Sequence, residues 1–157
     1  MSDKIYQPLR RLGEDAAYTF KGLHKQADWL ILRYKICLCV PIVFSIVSLG
    51  FDDVFNGYVL KCLATVSLIA SVFALIWQRD FEKSRGYREL ADKIKIVYDR
   101  AEAAFCKESL NEYDELLTMW SDLRQQLKDF PIESWAYRKA QKTIKQEMNL
   151  TWLGGDY

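Results

Sequence analysis

Among 157 residues there is one histidine, and the sequence patterns that usually accompany catalysis are missing. His24 lies in a charged segment and reads as a solvated surface residue rather than a pH switch. No G-x-S-x-G, no H-E-x-x-H and no glycine-rich phosphate loop occurs, so the chain reads as a non-enzyme with no cofactor. The acidic pairs Glu14 with Asp15 and Asp114 with Glu115 are adjacent rather than one helical turn apart, which suits solvated faces. Net charge is only +1, so nothing in the chain as a whole favours a nucleic-acid partner. Four cysteines, Cys37, Cys39, Cys62 and Cys106, fall in or beside helical segments and imply no disulfide framework. With a single histidine to join them, they offer too few soft ligands for a closed metal site. Lipidation of Cys37 or Cys39 stays open.

What the chain does have is concentrated apolar sequence, hidden by a mean hydropathy of -0.14. CVPIVFSIVSLGF occupies 39–51 and YVLKCLATVSLIASVFALIW occupies 58–77. The second run has the roughly 20 residues that cross a hydrocarbon core of about 30 Å. The first becomes long enough when extended back through Trp29, Leu30, Ile31 and Leu32, with Arg33 and Lys35 placed to snorkel into headgroups. A buried hairpin in a globular core would share these lengths, but 58–77 carries one charge, Lys61, and no polar face. The first apolar run starts near residue 29, behind a charged segment too long for a signal-peptide n-region, so it is expected to act as an uncleaved anchor.

Lys21, Lys25, Arg33 and Lys35 precede or edge the first run, and Arg79, Lys83, Arg85 and Arg88 follow the second, while the connecting FDDVFNG has no base. Both termini are therefore expected in the cytoplasm, with Asp52, Asp53, Asn56 and Gly57 in a tight outer turn and Trp29 and Trp77 at the inner interface. The basic flanks would attract anionic lipid.

Residues 1–28 read as a cytoplasmic or interfacial helix, less ordered over MSDKIYQPLRR; 29–77 as a transmembrane hairpin with spans near 30–51 and 58–77; and 78–157 as a cytoplasmic helical region. No glycine or proline intervenes between Trp77 and Gly86, so the second span should continue outward as one rod, which Gly86 need not stop. Leu90, Ile94, Val97, Ala101 and Ala104 then recur at steps of four and three, the seam of a helix packed on another, with Glu89 and Lys93 pairing on an outer face. Ser109 and Glu112 form an S-x-x-E capping box for a further helix carrying Leu116, Trp120, Leu123, Leu127 and Phe130, ended by Pro131. These stripes could zip within one chain, as a hairpin, or between subunits, as a coiled coil. After Pro131, Trp135, Ala136, Ala140 and Ile144 oppose Lys139, Lys142 and Lys145, either as a third bundle helix or as a basic helix that docks on anionic membrane or a partner. The fold class is thus an all-α membrane protein.

Within the apolar runs, Ala64, Ser67, Ser71 and Ala74 share one helical face, as do Cys37, Pro41, Ser45 and Ser48. Such stripes either let helix backbones approach closely or line a narrow pore between subunits that wets the hydroxyls. Pro41 frees a backbone carbonyl near Cys37 and can kink the first run.

The order of parts, a charged amphipathic lead-in, two close spans with a minimal turn, and a long helix carrying YRELADKIKIVYDRAEAAF, resembles the SLATT family, two-span bacterial effectors associated with nucleotide-sensing conflict systems. The resemblance reaches from the lead-in to about Phe130. It implies an inner-membrane effector of antiphage defence that oligomerises and perturbs the membrane, as a pore or otherwise, when a separate nucleotide-sensing or infection-sensing protein signals. It brings no catalytic residues. The alternatives are a membrane-anchored adaptor presenting a cytoplasmic coiled coil to a partner, and a scaffold that remodels lipid through the basic C-terminal helix.

Overall fold

Long stretches with few helix breakers allow two helices of 48 and 50 residues, α1 (Asp3–Gly50) and α2 (Gly57–Cys106). Two helices of 14 residues follow, α3 (Tyr113–Gln126) and α4 (Ser134–Glu147). The computed structural model describes residues 3–50, 56–107 and 111–147, and among these the chain is all-α with no strand. Pro41 lies inside α1 and Gly86 inside α2, and neither ends its helix. The start of the chain, expected to be less ordered, is helical from Asp3, because Leu9 and Leu12 are buried and hold it. The expected outer turn at Asp52 and Asp53 lies outside the described residues. On its far side the Asn56 carbonyl accepts from the Val59 and Leu60 amides, at 2.8 and 3.3 Å, and starts α2.

The chain divides into two compact units, Met1–Ala27 with Arg85–Tyr157, and Asp28–Ser84. The first is a bundle of the α1 and α2 portions with α3 and α4. Leu9, Leu12, Ala16, Phe20, Leu23 and Ala27 bury one face of α1, and Leu90, Ile94, Val97, Ala101 and Ala104 one face of α2. These helices run antiparallel: Tyr6 meets Phe105 edge-on at 5.9 Å, Phe20 meets Tyr98 at 5.8 Å, and His24 Nε2 lies 3.6 Å from Asp92 Oδ1. His24 is therefore half-buried against Phe20 and Asp92 rather than simply solvated. Each fully buried Leu, Ile or Val contributes roughly 1.5–3 kcal/mol, so these two stripes are the main source of the bundle's cohesion.

Leu116, Trp120 and Leu123 are buried on α3, and Ala136, Ala140 and Ile144 on α4. The seam residues thus lie inside one chain, and α4 packs as a bundle helix with Arg138, Lys139 and Lys142 on its exposed side. Ser109 lies outside the described residues; α3 begins at Tyr113, and Glu112 before it makes no side-chain cap. Glu112 turns instead to Arg100, which also takes Glu115, at 3.1 and 2.8 Å. Arg100 holds the Glu115 carboxyl below the usual carboxylate range through its hydrogen bond, and is itself held charged by both acids. Glu115 is therefore a cross-helix partner on a face that stays solvated, as expected. Glu89 likewise pairs with Arg85 at 2.9 Å and leaves Lys93 alone, because the preceding turn offers the longer-reaching guanidinium.

The helix expected to reach Phe130 stops at Gln126, and the chain tightens into successive i to i+3 turns through Phe130. Leu127 and Phe130 are half-buried as a result. Phe130 closes onto α2: a Cβ built on Gly86 would lie 2.6 Å from its ring, and Tyr87 meets the same ring edge-on at 5.1 Å. Tyr87 also donates its hydroxyl to the Pro131 carbonyl at 2.9 Å, and Gln26 donates to Glu133 at 3.1 Å. The segment 130–133 thus clasps both α1 and α2, and Gly86 is required for close approach rather than for a bend.

Gly86→Val should lower the thermal midpoint despite a better helix propensity, since displacing the ring costs about 1–3 kcal/mol. In a Phe130→Ala background the same substitution should cost far less. Strictly additive losses in denaturation of the four variants would contradict the contact.

Candidate functional site

The second unit is built from the apolar parts of α1 and α2. Two helices are long and apolar enough to cross a membrane, and only 11% and 6% of their most apolar windows is buried. A core helix of a soluble protein would bury most of such a window. Here Ile42, Ile46, Leu49, Leu68 and Leu75 are each at least 60% exposed, so the apolar surface faces outward on both helices.

The helices are held antiparallel at one end by charge and aromatic contacts. Arg33 donates to Asp80 in an ion pair and sets its guanidinium 4.4 Å from the centre of the Trp77 ring. Tyr34 stacks on Phe81 with ring centres 4.6 Å apart. Arg33, expected to snorkel, is turned inward by these partners, and its Nε is buried without an acceptor. Lys35 remains exposed and Trp29 is 41% exposed. Asp80 went unremarked in the sequence. Its signal was an acid directly after Arg79, the first acidic side chain past the end of the second apolar run.

Beyond this clamp the small-residue stripes converge. Pro41, Ser45 and Ser48 from α1 and Ala64, Ser67 and Ser71 from α2 line one open groove of about 640 Å³. Ala74 is buried, 5% exposed, and lines a neighbouring recess of about 370 Å³ with Cys37, Pro41 and Ser71. Two stripes that sequence placed on separate helices therefore face each other across the hairpin. Their hydroxyls are partly occupied: Ser45 donates to the Pro41 carbonyl at 2.8 Å and Ser71 to the Ser67 carbonyl at 2.9 Å. Back-bonding of this kind satisfies a serine donor inside its own helix, so water is not needed for that purpose. Each oxygen keeps acceptor capacity toward the groove.

The four cysteines are free, Cys39 and Cys62 exposed on the hairpin, Cys37 half-buried beside the recess. Among the described residues no three His, Cys, Asp or Glu side chains gather where they could hold a metal ion.

The class defined by these observations is an all-α chain that couples a helical bundle with an exposed apolar hairpin. No family model, no curated protein and no solved structure matches the chain.

Removing one member of the clamp leaves a half-buried charge unpaired, which costs on the order of 1–3 kcal/mol. Asp80→Leu should therefore destabilise the detergent-solubilised protein, and Arg33→Met added to it should recover most of the loss, as apolar replacement of both partners often does. No recovery in the double variant would show that Asp80 acts apart from Arg33.

Proposed function

We propose that the chain is a two-span protein of the bacterial inner membrane, with both termini cytoplasmic, that works as an oligomeric, non-enzymatic membrane effector. The single observation that supports this most is the convergence of both hydroxyl-bearing stripes on one groove of a hairpin whose outer surface is apolar and exposed. Lipid solvates the outer surface, and the groove offers a polar, small-residue surface on which subunits pack and permeability changes. The basic flanks and the baseless connection set the orientation. The likeness of layout to SLATT effectors extends this reading to antiphage defence, with a separate nucleotide-sensing or infection-sensing protein as the trigger.

A second reading, a membrane-anchored adaptor without a pore, is favoured by two observations. The cytoplasmic seam is used up inside one chain, and Ser45 and Ser71 find acceptors in their own helix. In this version the hairpin only tethers the bundle.

Induced expression should collapse the membrane potential reported by a voltage-sensitive dye, and Ser67→Leu with Ser71→Leu should abolish the collapse. Unchanged polarisation with both proteins would sink the permeability reading. Retention of cellular activity after exchange of residues 29–77 for an unrelated hairpin would support the tether instead.

A further inference from the structure

We propose that the α2/α3 face around Ile96 is where two copies of this chain meet, about a two-fold axis. The proposal rests on the oligomeric reading above and adds to the hairpin groove a second contact surface, on the bundle. Ile94 and Val97 are fully buried, yet Ile96 beside them is 52% exposed. It borders an apolar groove of about 230 Å³ between α2 and α3, walled by Met119 and Leu123, with Lys93 contributed by α2 and Asp122 by α3. A large exposed aliphatic side chain next to an apolar recess is costly in water and is relieved when another apolar surface covers both.

The charges say what covers it. Lys93 and Asp122 are exposed and make no ion pair among the described residues, since Glu89 is taken by Arg85. One lone cation and one lone anion on the same groove form a surface complementary to itself. A two-fold axis through Ile96 brings Lys93 of each copy to the partner's Asp122 and satisfies both pairs at once. A foreign partner would have to supply the opposite arrangement, which this chain already carries. The bundle's seam residues are buried within the chain, so any contact between bundles has to use an outer face such as this one. The apolar contact supplies most of the affinity, and the reciprocal charges fix the register.

The test is a charge swap on the full chain in mild detergent, followed by native mass spectrometry across a range of concentrations. Lys93→Asp or Asp122→Lys alone should weaken association about tenfold or more, because each creates two like-charge contacts per dimer. The double variant Lys93→Asp, Asp122→Lys should restore it, and Ile96→Asp should leave monomer. All three positions of substitution lie on exposed side chains, and an unchanged helical circular dichroism signal excludes misfolding as the cause. Association insensitive to every one of these variants overturns the proposal while the oligomeric reading survives on another surface. Loss in the single variants without rescue in the double overturns the two-fold pairing and points to a different partner. A monomeric wild-type chain at all concentrations overturns both.

Discussion

The antiparallel contact between the first part of α1 and the last part of α2 is the interaction from which the bundle is built. Phe20 against Tyr98 and Tyr6 against Phe105 set its register, and the stripes from Leu9 to Ala27 and from Leu90 to Ala104 supply its buried surface. Helices of 14 residues are marginal alone in water, so α3 and α4 depend on that surface for their stability. Leu116, Trp120 and Leu123, then Ala136, Ala140 and Ile144, are the side chains through which they use it. The segment 130–133 ties the arrangement together by touching α1 through Gln26 and α2 through Gly86 and Tyr87.

The same two helices carry a different physical pattern over Asp28–Ser84. In the bundle each presents one apolar stripe and a charged remainder; in the hairpin each is apolar nearly all round and exposed. An all-round apolar helix needs an apolar solvent, and a bilayer is the one that also accepts a helix whose backbone groups bond internally. Arg33 and the serines, among the polar exceptions, are placed accordingly. Arg33 is compensated by Asp80 and Trp77, and serines are gathered in the groove rather than scattered over the outer surface. These placements support the proposed membrane role more strongly than length and composition do.

Local periodicity made much of the fold legible in the sequence. Steps of three and four marked Leu90, Ile94, Val97 and Ala101 as one face, and the same rule found the serine stripes, because helical geometry converts spacing directly into direction. Distant contacts were not legible. Arg33 finds Asp80 across 47 residues, and Tyr87 finds Pro131 across 44, so neither pairing leaves a local trace. Gly86 read only as a residue that need not stop the rod, because its partner, Phe130, is equally remote. For the same reason sequence left the seam open between one chain and two, a choice that burial within the chain resolves. Of the candidate site, membership was readable from spacing, but the meeting of the two stripes on one groove required the fold.

Cysteine accessibility tests the central claim, a two-span hairpin with both ends inside, most directly. In a background with Cys37, Cys39, Cys62 and Cys106 replaced by Ser, a single cysteine is introduced as Asn56→Cys or Gln141→Cys, and intact spheroplasts are treated with a membrane-impermeant maleimide. The account predicts that the Asn56 variant is labelled from outside and the Gln141 variant only after permeabilisation. Equal labelling of both before permeabilisation, or recovery of the protein in the soluble fraction, would contradict it.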